Sequence, residues 1–368
     1  MDWLRPSWVE IDLGAIRHNV GVLKEAVAPT DVCIVVKADG YGHGDVPVAA
    51  AAVEAGADLV AVALTEEGIR LREGGIEAPI LVLSEPPAVA APEMVTWGLT
   101  PTAYSHQFLD ALAAAAGEPL DVHLKVNTGM QRVGADPEEA LGLASKIAET
   151  PLLNLAGCWT HLAVAETDAD YTKQQLDGFR EVITALEEKG LQPVVLHVAN
   201  SAGGLNYPDA RYDMVRFGIC SYGLRPGPDV GADLDLRPAM RVVSTVSYTR
   251  RLDKGERPSY GRRRALPADS TVATVPLGYA DGLSRRYSEV GGEVLIGGLR
   301  HPFAGTVTMD QVVIDCGDHK VAVGDEVVLL GSQGEETITA DEWAAKLGTI
   351  NYEIVCRWGP RLPRRYLS

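Results

Sequence analysis

Residues 31–44, DVCIVVKADGYGHG, hold the reading that decides the fold. After Asp31 the next five residues, VCIVV, form an apolar, mostly β-branched run without polar alternation, as in a strand buried on both faces. Lys37 ends the run, a glycine-rich turn follows, and AAAAVEAG (49–56) then reads as a helix. The same alternation continues outward from this unit. Further strand candidates are DLVAVA (58–63), PILVLS (79–84), LTPTAY (99–104), DVHLKV (121–126), LNLAGCW (153–159), PVVLHV (193–198) and DMVRFG (213–218). Helical stretches such as SHQFLDALAAAAG, PEEALGLASKIAET and YTKQQLDGFREVITALEEKG separate them. Eight such strands predict an α/β fold, a TIM-like (β/α)8 barrel at the compact end of its size range. A doubly wound open sheet is the other arrangement this alternation permits, but no GxGxxG follows the first strand.

After LRPGPDVGADLDLRP (224–238) the pattern changes to short β runs with turn signals: MRVVSTVSYTRRL, TVATVPL, GEVLIGG, QVVIDCG and DEVVLLG. This predicts a barrel over residues 1–235 and a mainly β domain over 236–368, with one helix near DEWAAKLG. The opening strand SWVEIDL (7–13) precedes the barrel and is a candidate to pair with the C-terminal domain.

The chain has 368 residues, 46% of them apolar, and a formal charge of −17. Such an acidic surface would repel nucleic acid and anionic lipid, so neither is an expected partner. Cys33, Cys158, Cys220, Cys316 and Cys356 are scattered and without CxxC spacing, as for free thiols in a reducing compartment. No stretch approaches a membrane span, and MDWLRPSWVEIDLGAI lacks the apolar core of a signal peptide. These features point to a cytoplasmic location. No metal site is expected.

Function on a barrel sits at the C-terminal ends of its strands. Lys37 ends the first strand, where desolvation would lower its pKa and free the amine for Schiff-base chemistry; the other reading is a lysine reaching into solvent. Lys125 and Arg132 flank the turn after the fifth strand. The two could converge on an anion, such as a substrate carboxylate or a modified lysine, or remain separately solvated. His161 follows the sixth strand, and Ser201, Gly218 and Ile219 fall where barrels commonly bind phosphate. Arg216 lies inside an apolar strand and must be paired or functional. Together these positions favour a phosphorylated cofactor.

The same residues carry a family resemblance. VVKADGYGHG resembles the pyridoxal-phosphate (PLP) lysine segment of alanine racemases. LKVNTGMQRVG, WTHLAVAE, HVANSAG, DMVRFGICSYG, SYG (259–261), VPLGYADG, GTVTMDQ and INYEIVCR are similar to further family segments in the same order. The resemblance implies a PLP barrel followed by a β domain, interconverting L- and D-alanine for peptidoglycan. It implies that Lys37 carries PLP and acts as one acid/base group. Tyr260 would be the other, reaching the barrel of a second subunit in a homodimer with shared sites. Arg216 would face the pyridine nitrogen, oriented by His161. Tyr41, Ser201, Gly218, Ile219 and Tyr352 would hold the phosphate. Arg132 would face the substrate carboxylate, with Lys125 as a carbamylated partner, while Met309, Asp310 and Tyr279 would line the substrate entrance. The chain departs from the family pattern at Asp39-Gly40, Glu166, Thr308 and the basic run Arg262–Arg264. A racemase of serine or other small amino acids, a different PLP reaction, and a PLP-binding protein without turnover are the competing readings.

Overall fold

The computed structural model describes residues 4–368, which form two compact units. The first spans residues 14–40 and 45–237. Its strands are β2 (Asp31–Val35), β3 (Leu59–Val62), β4 (Ile80–Val82), β5 (Thr100–Ala103), β6 (Leu120–Lys125), β7 (Leu153–Trp159), β8 (Val195–His197) and β9 (Met214–Phe217); β1 (Ser7–Asp12) precedes them and belongs to the second unit. They form one parallel sheet in the order β8-β7-β6-β5-β4-β3-β2-β9, a nearly closed barrel. At the seam between β8 and β9, the Asp213 amide donates to the Leu196 carbonyl at 3.1 Å. The Leu196 amide donates to Asp213 Oδ2 at 2.7 Å, and the Arg216 amide to the Ala199 carbonyl at 3.0 Å.

The apolar runs fix the strands because Val32–Val36, Val60–Val62 and Ile80–Val82 are all buried. The helices follow from amphipathic spacing and caps. Ala169–Glu188 buries Thr172, Gln175, Leu176, Phe179, Val182, Ile183 and Leu186, and Asp168 caps it by accepting from the Tyr171 amide. Ser105 caps His106–Ala115 in the same way through the Phe108 amide.

The second unit comprises residues up to 13, 41–44 and 238–368. Its strands are β10 (Met240–Thr245), β11 (Tyr248–Leu252), β12 (Ser270–Val275), β13 (Glu293–Ile296), β14 (Leu299–Pro302), β15 (Val312–Asp315), β16 (Glu326–Gln333), β17 (Glu336–Ile338) and β18 (Arg364–Leu367). The larger sheet runs β14-β13-β16-β10-β1-β18, with β17 on β16; β11-β12-β15 form a second sheet. β1 lies antiparallel to β10, from Ser7↔Ser244 to Ile11↔Met240, and parallel to β18. The Ser7 and Ser244 hydroxyls meet at 2.7 Å, and Arg241 bridges Glu10 (2.8 Å) and Glu326 (2.5 Å) across β1, β10 and β16. None of the five cysteines forms a disulfide, and four of them are buried. Among the described residues no helix is long and apolar enough to cross a membrane.

Because Ile11 is fully buried on an interior strand of the larger sheet, between β10 and β18, Ile11→Ala should cost about 2–5 kcal/mol, read as a lowered urea midpoint.

Candidate active site

Lys37 leaves β2 at a backbone feature that the glycines announce only in part. Ala38, Asp39, Gly40 and Tyr41 all have φ between +53° and +58°, a left-handed turn with one glycine among four residues. Each non-glycine residue there costs about 1–2 kcal/mol. Glu67 offsets this strain: Oε1 accepts the Ala38 amide at 2.6 Å, and Oε2 accepts those of Ala63 and Leu64 at 2.8 and 3.1 Å. The Gly40 amide donates to the Val36 carbonyl at 2.9 Å, and the Tyr222 hydroxyl to the Val35 carbonyl at 2.9 Å. Lys37 is thereby held on a fixed stem. Glu67 went unremarked in the sequence because the helix cap three residues before it is Leu64, which gives no capping-box signal.

Lys37 after β2, Lys125 and Arg132 at and after β6, and Arg216 in β9 all act on His161, which follows β7. Lys125 is buried, with Nζ 4.0 Å above the Trp159 ring. Burial, then Arg216, Arg132 and Lys37, pushes its pKa down to about 7. His161 is held well below the usual imidazole range by burial, then by Arg216, Lys125, Arg132 and Lys37. All four of these cations act on the ring in the same direction. Arg132 is among the charges that lower the Lys125 pKa across their turn.

Arg216 is almost fully buried. Nη1 donates to His197 Nδ1 at 2.9 Å and to the His197 carbonyl at 3.0 Å. Nη2 donates to the carbonyls of Thr160 (2.9 Å) and Val198 (3.0 Å), with His161 Nδ1 at 3.3 Å. Its Cζ sits 4.6 Å from the Trp159 ring centroid. Strand-end carbonyls, neutral imidazoles and an indole face thus stand in for a counter-ion. Burial lowers its pKa to about 10, so it remains charged at neutral pH. Its Nε–H has no acceptor among the described residues. His161 does lie beside Arg216, but His197 makes the shorter contact and is the partner that sequence reading passed over.

Ser201, Gly218 and Ile219 cluster at the ends of β8 and β9. Ser201 is buried, and its Oγ accepts the Gly218 amide at 3.1 Å. Ile219 begins a 3-10 turn, so its amide lies outside that turn's own hydrogen bonding. A hydroxyl and two amides suit a phosphate. Tyr41 and Tyr352 belong to the second unit, their ring centroids 6.1 Å apart. Burial raises the Tyr41 pKa, which keeps its hydroxyl a donor.

The remaining predicted residues lie together in the second unit. Tyr260 is 73% exposed on a loop where Ser259, Gly261 and Arg262 all have positive φ. Ser259 Oγ donates to the Thr306 carbonyl at 2.6 Å, and Thr306 Oγ1 to the Tyr260 carbonyl at 2.9 Å. Gly305 admits this clamp, since a Cβ there would lie 2.3 Å from the Pro258 carbonyl oxygen. The same segment carries Met309 and Asp310 at the tip of a turn closed by Thr308 and Gln311. It also accepts the Tyr279 amide at the Thr308 carbonyl, 3.0 Å away. Met309 is 52% and Tyr279 41% exposed. Asp310 pairs with Arg361 at 2.8 Å. Of the basic run, Arg263 pairs with Glu289, Arg264 with Asp315 and the Phe303 carbonyl, and the Arg262 carbonyl accepts from Arg257.

An eight-stranded parallel barrel with a lysine at the end of its first strand, followed by a mainly β unit, is the class of protein that the fold defines. Residues 11–226 match the alanine racemase N-terminal domain, and residues 239–366 the alanine racemase C-terminal domain. The alanine racemase of Symbiobacterium thermophilum is 44% identical over 371 residues, covering 100% of this chain and 98% of that protein. Alanine racemase from the D-cycloserine producer Streptomyces lavendulae has a similar structure, with TM-score 0.95, 36% identity and coverage of 100% and 98%. A histidine racemase from Leuconostoc mesenteroides is also similar, with TM-score 0.92, 28% identity and coverage of 100% and 99%. The chain belongs to the alanine racemase family and is an isomerase.

Lys125 yields a signed prediction. Below about pH 7 the folded protein carries this buried charge at full penalty. Between about 7 and 10.5 the unfolded chain binds a proton that the folded one lacks, so stability rises with pH. Lys125→Met should therefore raise the melting temperature of the PLP-free protein by a few degrees below pH 7, with the gain shrinking toward pH 10.

Proposed function

We propose that this protein interconverts L- and D-alanine using pyridoxal 5′-phosphate carried by Lys37. The observation that carries this reading is that buried Lys125 and Arg216 share the Trp159 ring with no carboxylate paired to either among the described residues, an arrangement that needs anionic ligands. The phosphate of PLP and the carboxylate of an amino acid fit that need. Ser201 and the amides of Gly218 and Ile219 would hold the phosphate, and this reading assigns the Tyr41 and Tyr352 hydroxyls to it as well. The open Nε–H of Arg216 fits the pyridine nitrogen.

When bound, PLP supplies an electron-withdrawing ring that acidifies the Cα–H of the joined amino acid. The protein's part is proton management. Racemisation removes a proton from one face of Cα and returns one to the other, so two groups must flank it. Lys37 holds the proton on one face, and the partner's Tyr260 holds it on the other. The clamped loop keeps Tyr260 extended from its own chain, as docking onto a second copy requires. The exposed Met309 and Tyr279 beside it are surface that such docking would cover. Asp310 would line the substrate side of the same turn. Arg216 donates a hydrogen bond without surrendering its proton, which limits electron withdrawal by the ring and favours return of the proton to Cα over side reactions. His161 orients it.

Arg132 would face the substrate carboxylate. With its pKa near 7, Lys125 has an appreciable free-amine fraction at neutral pH. Addition of carbon dioxide with loss of a proton would make it a carbamate, an anionic partner for Arg132. Labelled carbon dioxide should then give a carbamate carbon resonance that Lys125→Met lacks. The enzyme would work in the cytoplasm, supplying D-alanine to peptidoglycan.

Two further outcomes test the reading. Lys37→Ala and Tyr260→Phe should each be nearly inactive alone; refolded together in equal amounts they should regain about a quarter of wild-type racemisation, because half the dimers hold one intact site. No recovery, despite dimers forming, would contradict shared sites. Arg216→Glu should lose racemisation by about a hundredfold or more and gain transamination, seen as pyruvate release.

A further inference from the structure

His123 lies inside the barrel on β6, two residues before Lys125, at a position that branched apolar side chains ordinarily fill. It is buried, and its Nδ1 is 2.9 Å from His197 Nε2. The chain makes room for it. Gly157 is its register partner on β7, and a Cβ there would lie 2.4 Å from His123 Nδ1. Trp159 stacks on His197 at 5.3 Å and 13°.

The proton positions follow in series from Arg216. A guanidinium donates and does not accept, so His197 Nδ1, facing Nη1 at 2.9 Å, is the bare nitrogen. Burial, then Arg216 and His123, holds His197 well below the usual imidazole range, and the neutral ring carries its proton on Nε2. That proton points to His123 Nδ1, which must accept it. Burial pushes the His123 pKa down to about 4, with Asp121 opposing and Arg216 reinforcing, so this ring is neutral with its proton on Nε2. Each ring fixes the next.

We propose that His123 is a positioning residue for Arg216: by accepting from His197 it locks the His197 ring, and through it the guanidinium plane that offers Nε–H to the cofactor ring. This rests on the reading that Arg216 faces the pyridine nitrogen.

The test uses protein labelled with 15N-histidine, with and without PLP, and the variants His123→Leu and His123→Asn. In wild type, long-range proton–nitrogen correlation should show both rings protonated on Nε2 and bare on Nδ1. His123→Leu should shift the His197 nitrogens, move the absorption band of bound PLP and lower kcat about five- to tenfold, with KM for alanine little changed. His123→Asn retains an acceptor near the Nδ1 position and should restore the band and most of kcat. An Nδ1–H form of either ring in wild type would overturn the proposal whether or not the variants fold. So would a leucine variant with wild-type band and kcat. If Arg216→Glu also left the band unmoved, the reading of Arg216 itself would fail; a band moved only by Arg216→Glu would sink the His123 proposal alone.

Discussion

A guanidinium buried without a carboxylate imposes most of the order in the barrel site. Arg216 must satisfy its donors from strand-end carbonyls, so the backbone at Thr160, His197 and Val198 converges on it. Burial, reinforced by its charge, keeps His161 and His197 neutral, which makes them acceptors rather than rivals. Trp159 offers a π face to Arg216 and to Lys125, softening a repulsion that no acid relieves. Four terminal N–H positions are consumed by the protein, leaving Nε–H for a ligand. A carboxylate at this position would remove the need for all of these arrangements.

Backbone strain marks the two residues assigned to proton transfer. Lys37 opens a left-handed turn held by Glu67, and Tyr260 sits in a loop with three positive-φ neighbours clamped by Thr306. Both devices restrict where a proton carrier can stand, which a reaction needing groups on opposite faces of one carbon demands. Each lies in a different compact unit, and the unit that presents Tyr260 is completed by the strand at the start of the chain.

The barrel strands were legible because apolar runs buried on both faces have few alternative explanations; each predicted run matches an observed strand to within about two residues. Lys37 was legible by its place at a strand end. The turn after it was not, since glycine spacing says nothing of Ala38 or Asp39 entering the left-handed region. His197 and His123 were missed because their partners lie far along the sequence and no local pattern encodes a tautomer; Glu67 was missed because Leu64 caps its helix, without a polar side chain to mark the start. Arg216 was singled out as a residue that must be paired or functional, and its partners in the structure are carbonyls, imidazoles and an indole face. Tyr260 had no signal of its own; only the family resemblance pointed to it. The similarity to a histidine racemase shows that this fold does not by itself fix the side chain accepted.

The account rests on proton exchange at both faces of Cα, and one measurement reaches it directly. The PLP-loaded protein is incubated with L-alanine in deuterium oxide, and both enantiomers are separated and analysed for label at Cα. The account predicts D-alanine carrying deuterium at Cα, formed until the enantiomers are equal. Protein with PLP bound that neither exchanges the α-hydrogen nor forms D-alanine would contradict it.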